Sequence, residues 1–290
     1  MDFRPLKHFL ALSETLHFGR ASGICHISPP TLSRSIKSLE DSLGAILFER
    51  DNRSVVLTAE GKAFQKYARE TISQWESVSS NLRSSTQELK GELSVYCSVT
   101  ASYSFLYDIL YEFRQQYPRI EIKLHTGDPE LAISHILSGK EDIAIAARPS
   151  TLPTNLAFQD IAVSPLLFIT PLGDFSAPKT PDEWASTPMI LSEEGVARQR
   201  VNKWFADKNI KPHIYSQVAG NEAIVSMVSL GFGVGVVPLI VLENSPLANK
   251  VQILDSKPEL KSYDVGLCAQ EKKLKNPLIR AFWEQAANQI

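Results

Sequence analysis

The sequence predicts an α/β chain in three parts, and three patterns predict it. Residues 1–57 hold short amphipathic segments broken by turn residues, then two brief apolar runs around the polar turn "RDNRS". Residues 58–90 carry one long amphipathic repeat. From Glu92 onward, β-type runs alternate with helical patterns, as strands joined by crossover helices do. The 290 residues and 43% hydrophobic content suffice for two or three packed domains.

In the first part, Pro5 suits an opening helical turn, and Phe9, Leu10, Leu12 and Leu16 follow at helical spacing. "GRASGICHIS" predicts a shorter second helix and a turn. Ser28 is a good N-cap, and Pro29 and Pro30 fit only the first turn of a helix. Leu32, Ile36, Leu39 and Leu43 then recur every three or four residues, up to a stop at Gly44. The other face carries Thr31, Ser33, Arg34, Ser35, Lys37 and Ser38. Ile46–Phe48 and Val55–Leu57 around the polar turn give a hairpin signal.

Thr58 predicts the N-cap of the long helix, on which Phe64, Ala68, Thr71, Trp75, Val78 and Leu82 form a single stripe. A long helix with one apolar stripe needs a partner, so the stripe predicts coiled-coil-like pairing of two chains. The alternative is that it packs on the chain's own globular part. "SSTQELKG", 84–91, reads as a linker. Beyond it, runs such as "ELSVYCS", "IEIKLHT", "DIAIAA", "PMIL" and "VGVVP" predict strands in mainly parallel sheets, with helices such as "SFLYDILYEFRQQYP" and "EAIVSMVSLGF" between them.

The net charge of −2 does not advertise nucleic-acid binding. Over residues 1–66, nine Lys/Arg stand against seven Asp/Glu, a balance of only +2, so the pattern has to carry the argument. A helix in the DNA major groove needs small or polar exposed residues, hydroxyls and N-terminal amides for phosphates, and one or two side chains that read base edges. The stretch from Ser28 to Ser38 supplies all of these, and the short helix and turn before it match a helix-turn-helix. A hairpin bearing Arg50 and Arg53 looks like a wing whose arginine enters a narrow minor groove. The candidate DNA-contacting residues are Ser28, Pro30, Thr31, Ser33, Arg34, Lys37, Arg50 and Arg53.

These residues carry a resemblance. "HFGRASGICHISPPTLSRSIKSLEDSLGAILFERDNRSVVLTAEG" resembles the N-terminal domain of LysR-type transcriptional regulators, through Ser33-Arg34, Leu39-Glu40, Leu43-Gly44, Leu47-Phe48, Arg50, Arg53, Leu57-Thr58 and Gly61. Pro29 departs from the pattern, standing where many members carry a Gln or Ser that can touch DNA. The resemblance implies a winged helix-turn-helix over 1–57, a dimerising linker helix over 58–90, and an effector-binding domain over 91–290 of periplasmic-binding-protein type. Its two α/β subdomains would span 91–162 with 266–290, and 163–265. It further implies a double-stranded DNA operator, RNA polymerase as a partner, and a homodimer that assembles to a homotetramer.

Within the last part, "CSVTASYS" and "HTGDP" follow strands and open helices, where hydroxyls and amides converge to hold a carboxylate. The candidates are Ser98, Thr100, Ala101 and Ser102, with Thr126, Gly127 and Asp128. "EEGVARQR" and "VAGNEA" occupy equivalent turns and add Arg198, Gly220 and Asn221, the arginine as a bidentate carboxylate partner. The residues alone say only that the effector is a small polar anion. Stretches in both halves, including "GELSVYCSVTASYS", "DIAIAARP", "VSMVSLGFGV" and "LCAQEKKL", resemble within the family an activator of isoleucine–valine biosynthesis. That implies acetohydroxy acids, acetolactate or acetohydroxybutyrate, as effectors. A regulator of another pathway sensing a different organic anion stays open.

Three other readings are weaker. The six histidines are dispersed and form no metal or nucleophile–base motif, so no enzyme, cofactor or metal is expected. A redox sensor would need two poised cysteines, whereas Cys97 and Cys268 lie in apolar strand runs. A plain solute-binding protein is disfavoured by the first 57 residues. The start "MDFRPLKHF" has no apolar signal run, and no stretch is long and apolar enough for a membrane span, so a cytoplasmic location is expected.

Overall fold

The structure, a computed structural model, describes residues 2–50, 54–83, 89–173 and 175–287. The side chains of residues 76, 77 and 79–83 are outside that description. So are Asp51, Asn52 and Arg53 of the expected wing turn, the Leu82 side chain, and residues 84–88 of the linker. The chain divides into two compact units, residues 1–87 with 138–140, and residues 88–137 with 141–290.

The first unit contains α1 (Arg4–Thr15), α2 (Phe18–Ile24), α3 (Pro29–Leu43), the antiparallel pair β1 (Phe48–Arg50) and β2 (Val55–Leu57), and α4 (Ala59–Arg83). Each start has a local cause. The His17 ring accepts from the Arg20 N–H and caps α2. The Ser28 hydroxyl accepts from the Thr31 N–H at the start of α3, and the Thr58 hydroxyl oxygen accepts from the Gly61 N–H at 2.9 Å. α3 stops where Gly44 takes a left-handed φ of 64°. Phe9, Leu12, Leu32, Ile36, Leu47, Phe48 and Ala68 make the core, with Phe64 edge-on to Phe9 at 4.9 Å.

The stripe on α4 therefore divides. Phe64 and Ala68 serve the chain's own core, while Trp75 and Val78 are 46% and 52% exposed.

The second unit holds β3 (Gly91–Cys97), α5 (Val99–Tyr103), α6 (Phe105–Gln116), β4 (Ile120–Thr126), α7 (Ala132–Leu137) and β5 (Ile143–Ala147). The strand β6 (Leu156–Ser164) then leads to β7 (Leu166–Pro171), α8 (Pro181–Ser186), β8 (Pro188–Ser192), α9 (Gly195–Asp207), β9 (His213–Val218) and α10 (Asn221–Ser229). β10 (Val234–Pro238), α11 (Leu239–Glu243), β11 (Val251–Leu254), β12 (Tyr263–Gln270) and α12 (Pro277–Ala287) complete it.

Two five-stranded sheets result, ordered β4-β3-β5-β12-β6 and β9-β8-β10-β7-β11. In each, two pairings are parallel and two antiparallel, which corrects the expectation of mainly parallel sheets. The antiparallel half arises because β12 returns from the second sheet to complete the first, and β7 enters the second directly from β6. The chain passes between sheets at Ser164–Leu166 and again between Leu254 and Tyr263. Three parallel strands alternating with helices occur in both sheets, a duplication visible in topology though not in sequence. Phe168, Trp184, Trp204 and Phe205 anchor the second sheet's helices, with ring centroids 5.0–6.4 Å apart.

Gly61 shows how tightly the first unit closes. A Cβ there would fall 2.1 Å from the Leu47 carbonyl oxygen, backbone that cannot yield cheaply. Gly61→Ala is expected to destabilise this unit by about 1–3 kcal/mol, read as a lowered unfolding midpoint of the full chain.

Candidate functional site

The exposed face of α3 is the first candidate surface. Ser28, Pro30, Thr31, Arg34 and Lys37 are exposed along it, Ser33 is half-buried, and Pro29 is exposed beside them. The Ser28 and Thr31 hydroxyls lie 2.8 Å apart at the helix start. Arg34 makes only a long 3.4 Å contact, from its Nε to the Pro30 carbonyl, leaving most of its guanidinium to the outside. Ser35 turns inward instead, its hydroxyl 2.8 Å from the His8 ring nitrogen.

Glu40 sets this helix against the hairpin. Its Oε1 accepts from the Leu47 and Phe48 N–H groups at 2.9 and 3.1 Å. Its Oε2 pairs with the Arg50 guanidinium at 2.6 Å. Arg50 also lies over the Phe18 ring, 5.3 Å from its centroid. Arg50, expected as a DNA contact, is thus held between an acid and an aromatic face while its side chain stays 30% exposed. Arg53, expected at the wing, lies outside the described residues.

The second candidate is a cleft of about 370 Å³ between the two sheets of the second unit, within the usual range for a small-molecule site. It is lined where the parallel strands end. Ser98, Thr100 and Ala101 come from the turn after β3, Val196 and Ala197 from the start of α9 after β8, and Asn221 from the start of α10 after β9. The end of β5 adds Pro149, Ser150 and Thr151, and the returning strand β12 adds Tyr263. Thr100 is 2% exposed. Ser98 caps α5 through the Ala101 N–H, at 3.1 Å.

Of the expected effector residues, Ser98, Thr100, Ala101 and Asn221 line the cleft, and six do not. The Ser102 hydroxyl donates to the Val99 carbonyl. β4 is an edge strand, which leaves Thr126 exposed, Gly127 against the Tyr96 ring, and Asp128 capping the next turn through the Glu130 N–H. Gly220 forms the turn before α10 at a φ of 83°. Arg198 also lies off the cleft lining. Its Nη1 donates to the Ser192 carbonyl at 2.7 Å and to Gln217 at 2.9 Å, and its Nε to Asn202 at 3.0 Å, which holds it on the side of the second sheet. No lysine, arginine or histidine is among the described residues lining the cleft.

Two carboxylates were missed. Glu130 reaches from the turn after β4 to the start of α9, where its carboxylate lies against Gly195. A Cβ on Gly195 would fall 1.6 Å from its Oε2 and would have to push the carboxylate aside, and the φ of 94° there favours glycine. Glu222, in the first turn of α10, reaches the opposite way. Its Oε1 accepts from the Thr100 hydroxyl at 2.6 Å and the Thr100 N–H at 3.3 Å. Glu130 could have been suspected from its place after "GDP". Glu222 reads in sequence as a first-turn acid for its own helix.

Burial, reinforced by the charges of Asp128 and Glu194, raises the Glu130 carboxyl to about 7 against the opposing Val196 N–H. Burial pushes the Cys97 and Cys268 thiols up to about 12, and β5 separates their strands, an arrangement unsuited to a reactive pair. Because the folded carboxyl titrates above its unfolded value, its contribution to stability is fully present below the unfolded value. It is lost as pH rises through about 7. Glu130→Gln is expected to remove that loss, gaining on the order of 2 kcal/mol at pH 8 relative to pH 5. Thermal unfolding of both proteins at the two pH values measures it.

"Bacterial regulatory helix-turn-helix protein, lysR family" matches residues 3–62, and "LysR substrate binding domain" matches residues 86–290. The chain is 44% identical to the HTH-type transcriptional activator IlvY of Salmonella typhimurium, over 99% of this chain and 100% of that one. It is 42% identical to the activator IlvY of Haemophilus influenzae, over 98% and 99%. The crystal structure of full-length CbnR complexed with its target DNA superposes with a TM-score of 0.65 at 22% identity, over 100% of this chain and 99% of that one. Among the described residues no helix is long and apolar enough to cross a membrane. Matched in both halves, this chain belongs to the LysR family of DNA-binding transcriptional regulators.

Proposed function

We propose that this regulator activates isoleucine–valine biosynthesis, with the ketol-acid reductoisomerase gene as its target, in response to acetohydroxy acids. The observation that carries this reading is the 44% identity to an IlvY activator, which extends through the cleft-bearing half as well as the helix-turn-helix. Acetolactate and acetohydroxybutyrate each bear a carboxylate, a tertiary hydroxyl and a ketone. The cleft supports such a ligand with the Thr100 hydroxyl and N–H, the Ser98 hydroxyl and the Asn221 amide. The Glu130 carboxyl, protonated in part near neutrality, adds a donor for the ketone or hydroxyl.

On the DNA side, α3 enters the major groove with Arg34 as the base reader. Ser28, Pro30, Thr31, Ser33 and Lys37 contact backbone or shape, Arg53 enters the minor groove, and Arg50 positions the wing. Two chains pair through the exposed Trp75–Val78 part of α4, and dimers join into a tetramer whose rearrangement admits RNA polymerase. The effector drives that rearrangement only if it prefers one state.

Arg34→Ala is expected to cost about 1–3 kcal/mol of operator binding and to relax selectivity at one base pair. Binding titrations against operator and point-substituted operators read it, and unchanged selectivity removes Arg34 from the role. Acetolactate should raise the unfolding midpoint of the full chain in proportion to RT ln(1 + [L]/Kd), and Thr100→Val should reduce that shift strongly. A shift with aromatic or other organic acids but not acetolactate assigns the protein to another pathway.

A further inference from the structure

The cleft is spanned by two carboxylates running in opposite directions. Glu222, on α10 of the second subdomain, takes the hydroxyl and N–H of Thr100 in the first. Glu130, in the turn after β4 of the first subdomain, reaches the start of α9 in the second and rests on Gly195. Each subdomain thus closes the other's strand-to-helix turn with an acid of its own. Thr100 is 2% exposed, so its donors have no alternative partner in bulk water. With no cationic side chain among the described residues lining the cleft, neutral donors such as these are what an anion can use.

From this we propose that Glu222 is a built-in occupant of the effector's carboxylate position, and that an anionic effector acts by displacing it from Thr100. The inference rests on the reading that the effector enters this cleft. Two carboxylates cannot share one pair of donors, since each lacks a proton to offer the other. An entering carboxylate therefore takes the Thr100 hydroxyl and N–H, and Glu222 is released. Release cuts the Glu222–Thr100 link while Glu130 keeps its packing against Gly195. The subdomains are then free to turn about the remaining contact and the strands that connect them. Ligand binding at one small site is coupled in this way to the relative placement of two sheets, through a hydrogen bond that exists only in the unliganded arrangement.

The test uses full-length Glu222→Ala and Glu222→Gln beside the parent protein. Hydrogen exchange of the peptide containing the Thr100 amide is followed without effector, and binding of acetolactate and of acetate by calorimetry. Glu222→Ala should exchange at least tenfold faster at Thr100 and bind acetolactate at least tenfold more tightly, because the internal competitor is gone. Glu222→Gln keeps an acceptor oxygen and should exchange close to the parent rate, which separates a lost latch from a damaged fold. Unchanged exchange in Glu222→Ala overturns the latch. Faster exchange with unaltered binding of both acids overturns the competition. If the parent protein fails to bind acetolactate, the proposed effector identity falls. The latch is still decided, by Thr100 exchange and by whether acetate binds Glu222→Ala more tightly than the parent.

Discussion

A backbone N–H taken out of water must find an acceptor, and in this chain glutamates supply that acceptor where separate elements meet. Glu40 is the clearest instance. A single carboxylate takes the Leu47 and Phe48 amides and the Arg50 guanidinium, and so sets α3 against the hairpin. A base-reading helix is useful only if its angle to the wing is fixed, because both must meet the duplex at once. The charged clamp does this at a distance from the exposed face, leaving Thr31, Arg34 and Lys37 free to face outward.

The same requirement governs the cleft. Strand-to-helix turns at the ends of β3, β8 and β9 bring backbone and hydroxyl donors together, as open α/β sheets do where strand order reverses. Left empty, such donors would be costly, and Glu222 satisfies those of Thr100 from across the gap. The cleft's polar lining among the described residues is thus made of neutral donors and one raised carboxyl, with no fixed positive charge.

The returning strand β12 matters for a different reason. It pairs with β5 and β6 although every strand of the second sheet precedes it in the chain, and Tyr263 at its start lines the cleft. The two subdomains are consequently tied by chain crossings at one end and by carboxylate bonds across the gap. The first tie is covalent and permanent. The second is made of hydrogen bonds alone.

Much of the N-terminal unit was legible because its signals are local. Ser28 before two prolines, Gly44 after an apolar repeat and Thr58 before the long helix are each set by contacts within a turn or two. The recognition face followed from periodicity alone, and so did the alternation of strands and helices beyond Glu92. Pairing direction did not, because β6 and β12 owe their antiparallel partners to chain returns that no local pattern encodes. Side-chain direction in the cleft did not either. Arg198 has the right chemistry for an acid yet points into its own subdomain. Glu222 looks like a cap for its own helix yet bonds Thr100, more than a hundred residues earlier in the chain. The sequence by itself determined which segments are helices and strands and which helix face is polar, since those depend on neighbours in the chain. Only the tertiary structure decided which acids and hydroxyls meet across the cleft, since that depends on how two sheets made from distant segments face one another.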